Sequence, residues 1–167
     1  MKLVQPKWPS VLSSRVILSI ARLGPLGSKL PAPGTWGSLA GVFYFLLFFS
    51  HLDFLQTILL TAAASYVAVA FCGEAEIRLC KSDPGEVILD EFVAMPLVFL
   101  GYNSLKGATS EWIVLLVGFI LFRIYDILKP FGITKLQKLN AGWGVVIDDL
   151  VAALAACVSL HLIRLFF

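Results

Sequence analysis

The chain has 167 residues, the size of one domain, and 59% of them are hydrophobic while only 14% are charged, against roughly 25% charged in soluble proteins. A net charge of +2 gives no footing for a nucleic-acid or other polyanion-binding role. Long apolar runs with so few charges leave no water-facing side, so the composition predicts an all-α integral membrane protein with lipid as its solvent.

In chain order, residues 1–35 form a basic leader broken by Pro and Gly, and residues 36–167 form a helical transmembrane region. Within the leader, residues 11–23 mix apolar side chains with Arg15 and Arg22. That pattern predicts an amphipathic segment lying in the membrane interface, with its arginines among the headgroups. Pro31, Pro33 and Gly34 are expected to forbid a regular helix beyond it. Apolar segments then cover residues 36–50, 54–72, 87–100, 112–128 and 144–166. A full span needs about 20 residues, so the first and third are short. They are expected to be tilted, re-entrant or sheltered by neighbours. About five transmembrane or re-entrant helices are predicted, with four as the alternative.

Lysine and arginine set the orientation. With the N-terminus cytoplasmic, the leader places Lys2, Lys7, Arg15, Arg22 and Lys29 inside. The loop after the second segment adds Arg78 and Lys81, and the end of the fourth adds Arg123, Lys129, Lys135 and Lys138. Only Lys106 and Arg164 of the 13 fall outside. No compact apolar core with a small-residue cleavage site follows the basic start, so the first helices are expected to remain in the mature protein. Cys72, Cys80 and Cys157 show no zinc-ligand or redox-pair spacing and read as reduced apolar residues.

This topology gathers the unusual residues at the cytoplasmic face. The turn Pro33-Gly34-Thr35-Trp36-Gly37-Ser38 opens the first segment, Asp90 and Glu91 enter the third, Arg123, Asp126 and Lys129 close the fourth, and Asp148 and Asp149 enter the fifth. Ionisable residues within membrane segments are costly and are functional candidates by default. Five clustered carboxylates repel one another, and a bound cation relieves that. Oxygen ligands without His or Cys favour magnesium, manganese or calcium over zinc. Arg123, Asp126 and Lys129, spaced i, i+3 and i+6, share one stripe. It reads either as an anion clamp beside a metal ligand or as an ion-pair ladder. Adjacent carboxylates point about 100° apart on a helix, so one member of each pair is expected to face the site. Thr35 or Ser38 either caps the helix or presents its N-terminus to an anion.

Two other chemistries are disfavoured. Cys72 and Arg78 have the C-x5-R spacing of cysteine phosphatases, but Glu74 and Glu76 between them would repel phosphate. The histidines, His51 and His161, fall on the opposite face from the cluster.

The motifs Pro33-Gly34-Thr35-Trp36-Gly37-Ser38, Asp90-Glu91-Phe92, Phe122-Arg123-Ile124-Tyr125-Asp126-Ile127-Leu128-Lys129-Pro130 and Gly142-Trp143-Gly144-Val145-Val146-Ile147-Asp148-Asp149 resemble, in order, those of the bacterial phosphatidylglycerophosphatase A family. The resemblance covers about residues 20–155. It implies a hydrolase of the bacterial inner membrane that removes the terminal phosphate of phosphatidylglycerophosphate, an anionic phospholipid, and requires Mg2+. Alanine stands at Ala94, Ala141 and Ala153, where the family pattern has glycine, and removes no proposed ligand.

Cluster and resemblance together assign Asp90, Glu91, Asp126, Asp148 and Asp149 to catalysis, with a subset holding one or two Mg2+. Arg123 and Lys129 would contact the substrate phosphate, assisted by Thr35 and Ser38 at the helix start. In-line attack by water and an aspartyl-phosphate intermediate both remain compatible with the pattern. The alternatives from other classes are a membrane cation transporter and a non-catalytic subunit of a membrane complex. The outer halves of the segments are almost wholly apolar, which disfavours a transport path.

Overall fold

The computed structural model describes residues 4–107, 110–130, 133, 136, 139 and 142–166, and among these it has helices and no strand. A short 3-10 turn (Trp8–Val11) precedes α1 (Ser14–Ala21), α2 (Pro25–Lys29), α3 (Pro33–Phe48), α4 (Phe54–Leu79), α5 (Leu89–Val98), α6 (Tyr102–Leu105), α7 (Glu111–Leu128) and α8 (Gly142–Arg164). Each of the five apolar segments is therefore a helix. Of these, α4 and α8 are long and apolar enough to cross a membrane. The 18-residue α7 is as long as a short span but carries Glu111, Arg123 and Asp126, while α3 and α5 have 16 and 10 residues.

Two boundaries differ from the sequence expectation. The first segment starts at Pro33, not after the Pro-Gly turn. A proline at the first helical position loses no hydrogen bond, because that N–H has no partner in any helix. Ala32, in the left-handed region at φ 51°, turns the chain into it. The second segment runs on to Leu79, past the polar residues expected to end it. Glu74 and Arg78 pair at 2.9 Å across one helical turn. Arg78 also donates to Ser14 Oγ and to the Ser10 carbonyl, each at 3.1 Å. The charges that look like a loop in sequence tie the leader to α4. Ile17 and Ala21 of α1 are fully buried in a core shared with Ala68, Val69 and Cys72 of α4.

The short α5 is the centre of the bundle. Leu89, Asp90 and every residue from Val93 to Val98 are buried, with α3, α4 and α8 packed around them. Its ten residues rise about 15 Å, half of a bilayer core of about 30 Å, and its neighbours shelter it. A small-residue stripe on α3 permits the close approach. A Cβ on Gly37 would lie 2.9 Å from the Ile88 carbonyl, and one on Gly41 would lie 2.9 Å from that of Phe92. Pro96 has no N–H to offer the Phe92 carbonyl, so that oxygen, freed within α5, faces α3. The pairs Gly37–Ile88 and Gly41–Met95 run in the same order, so α3 and α5 are parallel. On the other side α7 and α8 are antiparallel, with Lys129 on Asp148 and Tyr125 bonded to Ser159 at 2.7 Å.

Large hydrophobic side chains remain exposed along every long helix, including Phe43 and Leu47 on α3, Leu55 and Leu59 on α4, Leu116 and Ile120 on α7, and Leu154 and Val158 on α8. Soluble monomers rarely expose contiguous apolar surface on this scale.

Candidate active site

The start of α5, the end of α7 and the start of α8 enclose a cleft of about 170 Å³. All five predicted carboxylates, Asp90, Glu91, Asp126, Asp148 and Asp149, line it together with Lys129. Both members of each adjacent pair reach it, contrary to the expectation of one apiece. Two side chains 100° apart on a helix can flank a cleft that lies between them, and this one does.

The polar contacts join three helices. One Arg123 nitrogen, Nη1, donates to Asp126 Oδ2 at 2.7 Å, Ser38 Oγ at 3.2 Å and Glu91 Oε1 at 3.3 Å. Ser38, fully buried, donates in turn to the Gly34 carbonyl at 2.8 Å. Lys129 lies in the left-handed region at φ 43° just past the last turn of α7. It contacts Asp148 and lies 3.9 Å from Asp126. Burial pulls the Lys129 ammonium toward its neutral form. The hydrogen bond to Asp148 and the nearby Asp149 and Asp126 outweigh that, so its pKa lies above the usual lysine value. The i, i+3, i+6 stripe is thus an ion-pair ladder, of which Asp126 and Lys129 line the cleft and Arg123 stands behind Glu91 and Asp126.

Asp83, which none of the sequence motifs contains, also belongs to the cleft. It lies in the loop between α4 and α5 and lines the cleft with Gly85. Its backbone adopts a left-handed φ of 46°, and its N–H donates to Glu76 Oε1 at 2.7 Å. The available signal was the Asp83-Pro84-Gly85 turn, a tight-turn sequence five residues before the acidic pair. Thr35 is exposed in the first turn of α3, and no hydrogen bond joins its side chain to the cluster. Ala141, Lys135, Lys138 and Lys2, also named from the sequence, lie outside the described residues.

Asp90, Asp126, Asp148 and Asp149 are each at most 9% exposed. Asp90 Oδ1, Glu91 Oε2, Asp148 Oδ1 and Asp149 Oδ2 are buried without a hydrogen-bond partner. Buried anionic oxygens without partners are costly, and a hard cation is their natural complement. As the side chains stand, no three of the described His, Cys, Asp or Glu residues form a metal-holding set. Magnesium needs only one or two carboxylates, completing its shell with water and phosphate. The donor chemistry therefore fits magnesium.

The disfavoured chemistries are absent from the cleft. Residues 72–78 are continuous helix, with Arg78 held by Glu74, so no phosphate loop exists there. His161 bonds to the Leu100 carbonyl at 2.8 Å, beyond the far end of α5, and His51 is exposed after α3. The half of the bundle away from the cleft is less apolar than its sequence suggests. Thr57, Thr61 and Ser65 form a buried row on α4, but the row gives way to Ala68 and Val69 before the carboxylates.

The profile of the Phosphatidylglycerophosphatase A family matches residues 19–164. A phosphatidylglycerophosphatase A of Haemophilus influenzae is 36% identical over 135 residues, covering 80% of each chain. One of Escherichia coli is 28% identical over 168 residues, covering 96% of this chain and 93% of its own. A Bacteroides thetaiotaomicron protein, provisionally named a phosphatidylinositol-3-phosphatase, is 32% identical over 80% of this chain and 84% of its own. No solved structure matches the chain. With the profile covering most of its length and the motif residues meeting in one cleft, the chain belongs to the phosphatidylglycerophosphatase A family.

Proposed function

We propose that this chain is a membrane-embedded phosphatase that hydrolyses phosphatidylglycerophosphate to phosphatidylglycerol and inorganic phosphate, using Mg2+ at a cleft on the cytoplasmic side of the inner membrane. The observation that carries the reading is the convergence of five carboxylates from three helices and Lys129 on one cleft, with Arg123 paired to two of those carboxylates. Membership of the family supplies the reaction. Membrane embedding is supported by α4 and α8 and by the apolar exterior. The excess of lysine and arginine at the cleft end supports its cytoplasmic placement.

The chemistry asks three things of these residues. The phosphate must be held, water must lose a proton, and the leaving glycerol oxygen must gain one. Arg123 and Lys129 suit the first task, donating to the non-bridging oxygens as charge develops on them. All three Arg123 bonds to Ser38, Glu91 and Asp126 use Nη1, and Nε is buried without a partner, so the guanidinium keeps a donor for phosphate without giving up its place in the cluster. A cleft carboxylate takes the proton of the attacking water, and the proton passes to the departing alkoxide. Magnesium, held by a subset of Asp90, Glu91, Asp126, Asp148 and Asp149, would neutralise charge on the phosphoryl oxygens when bound.

The test is a substrate panel for the purified protein in mixed micelles: phosphatidylglycerophosphate, phosphatidic acid and phosphatidylinositol 3-phosphate. Phosphate release should be fastest from the first. Preferential release from phosphatidylinositol 3-phosphate would transfer the assignment to the activity named for the Bacteroides relative.

A further inference from the structure

Between α3 and α7 an apolar groove of about 240 Å³ opens on the outside of the bundle. Val42 and Leu115 form its buried floor, and Leu39, Phe43, Trp112 and Leu116 stand exposed along its sides. Resting on the phosphatase reading above, we propose that this groove binds one acyl chain of the lipid whose headgroup phosphate is cleaved in the acidic cleft.

Three observations select that occupant. First, the groove is continuous with the polar site. Leu39 directly follows Ser38, and Phe119, also lining the groove, lies one helical turn before Arg123. The 3.2 Å bond between Ser38 and Arg123 closes the same seam at its polar end. An amphiphile with its anionic end at the guanidinium has its apolar part laid along α3 and α7.

Second, the reach is right. From Arg123 to Trp112 the rise along α7 is about 16 Å, close to one leaflet of a core about 30 Å thick. One chain rooted at the headgroup fills the groove.

Third, the lining is aliphatic and aromatic throughout. A second furrow on α7, shared with α8, presents Tyr125 and Ser159, whose hydroxyls bond to each other at 2.7 Å. A chain there would cover a polar pair with hydrocarbon.

The test compares long-chain with dihexanoyl phosphatidylglycerophosphate in mixed micelles. Leu39→Trp and Leu116→Trp narrow the groove, and Leu154→Trp in the α7/α8 furrow controls for bulk on the outer surface. The groove variants should lose about tenfold in kcat/KM for the long-chain lipid, the cost of about two buried methylenes. Their turnover of the dihexanoyl lipid should stay within about twofold. Equal effects on both lipids, or an equal long-chain loss in Leu154→Trp, would overturn the proposal.

A photo-crosslinking residue at Phe43 supplies a readout independent of turnover. Its adduct with long-chain phosphatidylglycerophosphate should be formed in preference to one with phosphatidylcholine of the same chains. Indifference between the two lipids would mean ordinary boundary lipid and would also overturn it. If the wild-type protein releases no phosphate, the phosphatase reading fails, and the crosslink still decides the groove.

Discussion

Arg123 donates a hydrogen bond of 3.2 Å to Ser38, 85 residues earlier in the chain, and so fastens the end of α7 to the first turns of α3. The same Nη1 is 2.7 Å from Asp126 and 3.3 Å from Glu91. One guanidinium thus sets the relative positions of three helices beside the cleft. Arg123→Lys keeps the charge but not the planar fork. It should lower kcat/KM by about tenfold or more while the protein still folds. Ser38→Ala removes one neutral acceptor, a hydrogen bond of about 1 kcal/mol, and should cost about fivefold. The double variant should lose less than the product of the two, since both remove the same link. Full multiplicativity would show that the Ser38 contact does nothing for Arg123.

The carboxylates should separate activity from stability. Asp149→Asn removes a buried anion with an unpartnered oxygen. Phosphate release should fall by roughly a hundredfold or more, while the thermal midpoint in detergent stays level or rises, because a costly buried charge is gone. A parallel loss of stability and activity would mark Asp149 as a structural residue.

The α3/α5 contact should tolerate no side chain. A Cβ at Gly37 would stand 2.8 Å from Glu91 Oε2 and 2.9 Å from the Ile88 carbonyl. Gly37→Ala should therefore push the helices apart, lowering the thermal midpoint by the equivalent of about 1–3 kcal/mol and displacing Glu91 from Arg123. Gly85→Ala is the control, since a Cβ there meets nothing within 4 Å. Equal effects in the two variants would contradict the packing argument.

That the apolar segments are helical was legible in the sequence because apolar run length is a strong signal, and the meeting of the carboxylates was legible because alternate helix ends come together in such a bundle. The ends themselves were harder to read. Pro33 reads as a breaker until its place at the first helical position is known, and Glu74 with Arg78 reads as a loop until the leader is seen packed beside it. Asp83 escaped notice because its place in the cleft depends on a loop conformation with left-handed φ, which hydropathy does not encode. The facing of Asp90, Glu91, Asp148 and Asp149 departs from the helical-spacing expectation for a related reason. Helical angles locate a side chain on its own helix, whereas the cleft is defined by the neighbours.

Magnesium should bind before any lipid does. Titrating the ion into the metal-stripped protein should give saturable heat or a rise in thermal midpoint, and Asp149→Asn should weaken both. Calcium should bind the same oxygens without supporting equal turnover, since the two ions differ in size and in the geometry they demand. A wild-type protein indifferent to magnesium in both measurements would remove the ion from the account and leave the carboxylates paired only with Arg123 and Lys129.

The most direct measurement is phosphate release from phosphatidylglycerophosphate by the purified, lipid-supplemented protein, with and without magnesium, beside Asp149→Asn. Release should need the ion and disappear in the variant. No release from a folded wild-type preparation, or release that survives in Asp149→Asn, would contradict the phosphatase reading.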